Sequence, residues 1–476
     1  MALHAKLTRE IRSGPSGPKV GALFDLDQTL LAGFSATAFF RERLVSGRMA
    51  PRELVESLLG ALSFSVGRTG FSGFVAATTA AYRGLAESVM EEIGEEVFEK
   101  HLATEIYPES RALVRAHREM GHTLAIISSA TRYQAEPLAR ELGIEHVLCT
   151  ELEVEDGHFT GRVVHPTCYG EGKAYAAIDL AARTDLDLSE SYFYTDSHED
   201  MPLLDIVGRP RPLNPNGRLA QVAKERQWPV RRFKSRGTPS LGDLVRTGLV
   251  YGSLVPSIWA GVAAGVVNRS QREAINMMGS VWGDLATSLA GVDLRVEGEE
   301  HLWSQRPAVF IFNHQSGLDA VLMLKLLRRD MTGVGKKEIL RNPIFGPLFA
   351  AAGVVFIDRA DRDKAIQALA PAVQALREGR SLAISPEGTR SSTPRLGRFK
   401  KGAFHIAMQA GVPIVPIVFR NVLDALPKHA MVVRPATVEA VVMPPIDTSG
   451  WTLESLDGEI HAIRERYLEI LDGSDA

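Results

Sequence analysis

The chain has 476 residues, is 45% hydrophobic and 23% charged, and carries a formal net charge of -3. A single hydrophobic core stops growing at about 250 to 300 residues, so this length calls for two domains, and the composition is that of packed protein rather than of a disordered chain. The near-neutral balance supplies no global field to recruit nucleic acid, and two cysteines, Cys149 and Cys168, are too few for a disulfide framework.

Residues 1–19 lack the apolar run of a secretory signal and end in Gly, Pro and Ser, so they are expected to form a flexible lead-in. Apolar strand patterns follow at 19–24 (KVGALF), 122–127 (HTLAII) and 191–194 (SYFY), with helical patterns between them. That alternation predicts an α/β domain over 20–235, built on a parallel sheet with its site at the carboxyl ends of the strands. A mostly helical stretch at about 35–104 interrupts the alternation and is expected to form an inserted cap. A basic, turn-rich segment at 231–242 marks the boundary.

Residues 236–291 are expected to be a linker followed by an apolar two-helix element. Residues 247–268 carry no charge, are bounded by Arg246 and Arg269, and are long enough to cross a bilayer; a weakly charged helix at 274–290 follows. A single crossing would place the two domains on opposite sides of the membrane, and Pro256 and several glycines weaken a straight span. A monotopic element dipping into one leaflet is therefore expected. Strand patterns at 308–312, 353–357, 381–384 and 412–419 then predict a second α/β domain over 292–476.

Asp25 and Asp27 stand directly after the first strand, so carboxylates two residues apart leave its end in the same direction. Such a pair suits phosphoryl transfer: one attacks phosphorus to give an aspartyl-phosphate, and the other protonates the leaving oxygen and then activates water. Ser128 ends the second strand, Lys173 lies in a polar turn before a helix, and Asp196 and Asp200 follow the third strand. Mg2+ held by carboxylate oxygens would offset the phosphate charge.

In this order the residues resemble the four motifs of the haloacid dehalogenase (HAD) superfamily, phosphoserine-phosphatase-like branch. The resemblance implies a Rossmann-like core with a helical cap, Asp25 as nucleophile and Asp27 as general acid/base. It implies Mg2+ held by Asp25, Asp196 and the Asp27 backbone carbonyl, with Asp200 orienting metal-bound water or Lys173. Ser128 and Lys173 would bind phosphoryl oxygens, and Thr29 would brace the loop. Ser128-Ser129-Ala130 departs from the family's Ser-Gly-Gly, and Thr195 replaces the usual Gly before Asp196, which leaves the phosphomonoester open. A non-catalytic docking or sensing module is the alternative for this domain.

His314 and Asp319 follow the strand pattern at 308–312, five residues apart, and can meet across a loop-to-helix turn where the carboxylate fixes the imidazole tautomer. No nucleophile elbow accompanies them, so His314 suits a general base acting on a substrate hydroxyl. Further blocks follow at 353–359 (GVVFIDR), 385–390 (SPEGTR) and 412–416 (VPIVP). Together they match the four blocks of the glycerolipid acyltransferase family and most resemble PlsC-type 1-acylglycerol-3-phosphate acyltransferases, over most of the chain after about Val292.

That resemblance implies that His314, supported by Asp319, deprotonates the sn-2 hydroxyl of lysophosphatidic acid for attack on an acyl thioester of coenzyme A or acyl carrier protein. The acceptor phosphate would lie among Lys337, Arg359 and the turn Glu387-Gly388-Thr389-Arg390. Ser385 stands where the family usually has Phe. The run at 412–416 reads equally as a pocket wall or a core strand, and Arg395, Arg398, Lys400 and Lys401 as a phosphate or headgroup grip or a solvated face. Glycerol 3-phosphate or another lysophospholipid is the alternative acceptor. The expected partners are a lysophospholipid, the thioester and a membrane surface, with no nucleic acid, at the cytoplasmic face and monotopic through about residues 247–290.

Overall fold

The computed structural model describes residues 2–49, 78–341, 345–357 and 370–472, and the chain divides into two compact units, Met1–Thr238 and Pro239–Ala476. In the first unit the strands are β1 (Val20–Phe24), β2 (Thr123–Thr131), β3 (His146–Thr150), β4 (Leu152–Glu155), β5 (His158–Val163), β6 (Asp187–Thr195) and β7 (Arg209–Pro212). Five of them form a parallel sheet in the order β3-β2-β1-β6-β7, and β4 pairs with β5 in a separate antiparallel hairpin. Alternate residues feed two cores, Ala22, Phe24 and Ile126 on one face and Leu23, Ala125 and Ile127 on the other, as a sheet covered on both sides requires. Register carries the chemistry: Phe24 lies beside Ile126 on one side and Tyr194 on the other, so Asp25, Ser128 and Asp196 all emerge at the carboxyl edge.

Of the cap expected at about 35–104, residues 50–77 lie outside the described residues. The rest comprises helices Ser35–Val45 and Glu87–Val97, with a further helical turn at Phe98–Leu102. The second cap helix buries Met90, Ile93 and Val97, and Gly94 lets it approach helix Arg132–Leu142 so closely that a Cβ would meet the Tyr133 carbonyl at 2.4 Å.

The expectation of a flexible lead-in needs correction, because Ala2–Arg12 is helical. Leu7 and Ile11, one helical turn apart, are buried, and Arg12 pairs with Glu119 at 2.8 Å on helix Pro108–Glu119. The boundary also moves from 235/236 to 238/239. Arg236 is buried in the first unit, its Nε donating to the Thr104 carbonyl at 2.9 Å.

The second unit contains β8 (Val292–Glu297), β9 (Val309–Phe312), β10 (Met331–Lys336), β11 (Val355–Ile357), β12 (Ser381–Ile384), β13 (Ile414–Arg420) and β14 (Ala436–Val442). They form one seven-stranded sheet in the order β11-β10-β12-β9-β13-β14-β8, parallel except where β13 meets β14. Phe310, Phe312, Val415 and Ile417 fill one core, and Val309, Ile311, Ile414 and Val418 the other. Of the two readings of 412–416, the observed arrangement is a buried interior strand that begins at Ile414, between β9 and β14.

Ahead of this sheet stand three helical segments rather than two: Leu241–Gly252, Leu254–Asn268 and Gln271–Ala290. The run Leu241–Asn268 is long and apolar enough to cross a membrane, by length and composition only, and 28% of its most apolar stretch is buried. Trp259, Val262, Val266 and Val267 are exposed. Glycines set the packing here: at Gly283 a Cβ would sit 2.7 Å from the Lys325 backbone nitrogen, so only glycine lets helix Gln271–Ala290 lie flat on helix Asp319–Leu327.

Candidate active sites

At the carboxyl edge of the first sheet, the Asp25 backbone N–H donates to the Tyr194 carbonyl at 2.9 Å, which seats the loop between β1 and β6. Lys173, the third residue of helix Glu171–Thr184, is buried, with Nζ 3.0 Å from Asp25 Oδ1 and 2.8 Å from Asp200 Oδ2. Burial alone would lower its pKa, but the charges of Asp200 and Asp25 outweigh it and hold the ammonium protonated. Asp27 turns away to helix Ser35–Val45, where the Ser35 N–H and hydroxyl donate to its two oxygens at 2.8 and 3.2 Å. Burial pushes its carboxyl up to about 7, against those hydrogen bonds and aided by the charge of Asp25.

Ser128 is buried at the end of the straight part of β2, its Oγ accepting the Ala130 N–H at 3.2 Å. The Thr29 carbonyl accepts the Ser110 hydroxyl at 2.8 Å, whereas its own buried hydroxyl has no partner among the described residues. Any brace therefore runs through the backbone of Thr29. Two roles were missed. The Thr195 hydroxyl donates to Asp200 Oδ2 at 2.5 Å, which gives the departure from Gly a function, and Asn214 Nδ2 donates to the Gln28 carbonyl at 2.7 Å, tying down the acidic loop. An Asn on a distant loop carries no local signal of that contact.

The donors fit a divalent cation. Asp25, Asp196 and Asp200 share one ammonium, and Asp196 is pushed up to about 8 by burial and by the charges of Asp25 and Asp200, a deficit of positive charge that Mg2+ would fill. Among the described residues no three His, Cys, Asp or Glu side chains are grouped to hold a metal. Two carboxylates and a backbone carbonyl would leave the remaining positions to water, as suits an ion that keeps much of its hydration.

In the second sheet β9 lies between β12 and β13, with Ile311 beside Ile384, so the turns after β9 and β12 meet at the carboxyl edge. Asn313 seats the first turn: its Nδ2 donates to the Phe419 carbonyl at 2.8 Å and its Oδ1 accepts the Phe419 N–H at 2.7 Å. Asp319 opens helix Asp319–Leu327 and is fully buried. Its Oδ2 lies 2.7 Å from His314 Nδ1 and already accepts the Gln315 and Ser316 N–H groups at 2.8 and 2.9 Å. Nδ1 is therefore the donor in that contact, and Nε2 is left as the proton acceptor. The imidazole remains partly exposed, with the Phe312 ring edge-on at 5.9 Å.

Glu387 reaches this turn from β12. Its Oε1 accepts the His314 N–H at 2.7 Å and its Oε2 the Gly397 N–H at 2.8 Å, so both oxygens of this residue of the expected phosphate turn are taken by backbone. Burial raises its carboxyl pKa against those two hydrogen bonds. Gly388 takes φ +72°, a turn that favours glycine, with Lys400 Nζ against it, and Thr389 is exposed. Arg390 lies over the His314 turn, its Nη1 3.7 Å from where a Cβ on Gly317 would be, and makes no hydrogen bond or ion pair among the described residues. Lys337 is exposed at the start of the short helix Lys337–Arg341, beyond β10, the strand beside β12. Arg359 lies outside the described residues. Ser385, where Phe is usual, has a buried hydroxyl without a partner among the described residues.

Fold and sites thus define a two-domain enzyme, one domain arranged for phosphoryl transfer and the other for transfer to a hydroxyl activated by histidine. Family models match over residues 22–205, as a haloacid dehalogenase-like hydrolase, and over 293–420, as an acyltransferase. A 1-acyl-sn-glycerol-3-phosphate acyltransferase of Limnanthes alba is 36% identical over 200 residues, 42% of this chain and 70% of that protein. A phosphoserine phosphatase of Mycobacterium tuberculosis is 33% identical over 227 residues, 47% of this chain and 74% of that protein. A solved 1-acyl-sn-glycerophosphate acyltransferase of Thermotoga maritima is 25% identical, covers 48% of this chain and 96% of its own, and superposes with a TM-score of 0.42. The chain belongs to the haloacid dehalogenase-like hydrolases through its N-terminal domain and to the 1-acyl-sn-glycerol-3-phosphate acyltransferases through its C-terminal domain.

Proposed function

We propose that the C-terminal domain acylates the sn-2 hydroxyl of lysophosphatidic acid from a thioester of coenzyme A or acyl carrier protein, giving phosphatidic acid. The observation that carries this reading is the His314 Nδ1 to Asp319 Oδ2 contact of 2.7 Å, which leaves Nε2 to accept the hydroxyl proton. The alkoxide attacks the thioester carbonyl, the tetrahedral intermediate collapses, and the thiol leaves with a proton returned from Nε2. Arg390, which makes no hydrogen bond or ion pair among the described residues and lies above the same turn, is the first candidate to take the acceptor phosphate, with Lys337 and Arg359 as the further candidates. The exposed apolar face of Leu241–Asn268 supports monotopic docking on the cytoplasmic face, where the lysolipid is delivered to His314. His314→Ala is expected to abolish acylation of lysophosphatidic acid; a variant with the wild-type rate overturns the mechanism.

The N-terminal domain we read as a phosphomonoesterase. Asp25, Asp196 and the Asp27 carbonyl would hold Mg2+, which would supply charge neutralisation for the phosphoryl group. Asp25 attacks phosphorus in line as Asp27 gives its proton to the leaving oxygen; Asp27 then takes a proton from water, which attacks phosphorus and breaks the Asp25–phosphoryl bond to release phosphate, while Lys173 with Ser128 holds the phosphoryl oxygens. The convergence of Asp25, Lys173 and Asp200 at the carboxyl edge, with Lys173 Nζ 3.0 and 2.8 Å from the two carboxylates, favours catalysis over a docking role. Asp25→Asn should lose phosphate release from a phosphomonoester panel and keep acyl transfer. Wild-type protein that hydrolyses nothing on a broad panel with Mg2+ overturns this reading.

A further inference from the structure

His314 is held from both sides by one segment 73 residues further along the chain. Its N–H donates to Glu387 Oε1 at 2.7 Å, and its carbonyl accepts the Ser391 N–H at 2.8 Å. The other oxygen of Glu387 accepts the Gly397 N–H at 2.8 Å, at the start of the basic loop that carries Arg398 and Lys400. That loop is anchored in turn: Arg464, on helix Leu456–Asp472, donates to the Gly397 carbonyl at 3.3 Å and the Leu396 carbonyl at 3.4 Å. Both Glu387 oxygens are therefore occupied by backbone, and a carboxylate would repel the acceptor's phosphate. The fit at Gly397 is specific, because a Cβ there would lie 2.7 Å from Glu387 Oε2.

We propose that Glu387 is a positioning residue for acyl transfer, whose two oxygens fasten the His314 backbone to the basic loop, and that it makes no contact with the acceptor. The proposal rests on His314 being the base. Removing an oxygen acceptor on one side, or forcing the contact apart on the other, displaces Nε2 from the attacking hydroxyl, and misplacement by about 1 Å can cost on the order of 100-fold in rate. The acceptor's own contacts are untouched, so the loss falls on kcat and spares KM.

The test is steady-state acylation of lysophosphatidic acid by the full chain carrying Glu387→Gln, Gly397→Ala or His314→Ala. Glu387→Gln replaces one acceptor oxygen with an N–H2 group facing a backbone N–H, and Gly397→Ala adds one methyl at the same contact. Both are expected to lower kcat at least tenfold with KM for lysophosphatidic acid within twofold of wild type. A tenfold rise in KM with kcat retained makes Glu387 a substrate contact and overturns the proposal; so does unchanged kcat in both variants. Should Glu387→Gln fail to fold, Gly397→Ala decides alone. A wild-type rate for His314→Ala removes the base assignment itself, a failure distinct from either.

Discussion

Asp319→Asn isolates the charge behind the histidine. The side chain is fully buried and Oδ2 accepts three N–H groups, so an amide oxygen placed there keeps all three contacts and the same imidazole tautomer. What disappears is the negative charge facing the imidazolium that forms when His314 takes the hydroxyl proton. Charge centres about 4 Å apart attract by about 4 kcal/mol at an effective dielectric of about 20. At about 1.4 kcal/mol per decade this is roughly a 1,000-fold loss in kcat. KM should hold, because Asp319 touches no ligand. The amide N–H2 would occupy the place of Oδ1, which has no partner among the described residues, so about 1 to 3 kcal/mol of stability is lost as well. Acyl transfer is followed with a chromogenic thiol reagent at saturating lysophosphatidic acid, with folding checked by thermal melting. A folded variant within tenfold of wild-type kcat refutes the electrostatic role.

In metal-free protein at pH 7, Asp196, pushed up to about 8, holds a proton that Mg2+ must displace. Binding should release up to about one proton and tighten as pH rises toward 8; calorimetric heats identical in buffers of different ionisation enthalpy would refute this. Asp27 is raised from 3.8 to about 7, so between those values the folded state binds a proton that the unfolded state lacks, and the metal-free domain loses stability as pH rises through that window. Asp27→Asn should reduce the slope of that dependence by about one proton between pH 4 and 7 and leave the part due to Asp196, as read by denaturant melts from pH 4 to 8. Trp259→Ser with Val266→Ser removes two exposed apolar side chains, each worth about 1.5 to 3 kcal/mol when buried in lipid, so sedimentation with phospholipid vesicles should fall at least tenfold without loss of folding. Gly283→Ala should destabilise the second unit by about 1 to 3 kcal/mol in the same melts, because its Cβ would press on the Lys325 backbone.

Legibility follows the distance over which a residue's role is decided. An apolar run ending in DLDQT or NHQSGLD announces both a strand and the chemistry at its end, since strand length, burial and the turn that follows are local properties. The pairing of His314 with Asp319 was legible in their spacing, as was the two-carboxylate chemistry of Asp25 and Asp27; which carboxylate attacks came only with the family resemblance. The helix at Ala2–Arg12 could not, because its stability comes from Leu7 and Ile11 meeting helix Pro108–Glu119, more than a hundred residues away, while the Gly, Pro and Ser after it argue locally for disorder. Three helical segments where two were expected reflect a break at Ser253, between Gly252 and Pro256, which weakened a straight span in the sequence without fixing where it would part. Glu387 is the sharpest case. Within SPEGTR it reads as part of the acceptor's phosphate turn, since motif spacing ranks residues by chemical type and an acid near an arginine suggests a charged site. Its partners are two backbone N–H groups, 73 residues before it and 10 after it, brought within reach because β12 lies next to β9. Backbone donors leave no mark in sequence. The one trace available was Gly397, a small residue inside a basic loop, and its meaning depends on a carboxylate that only strand order places against it.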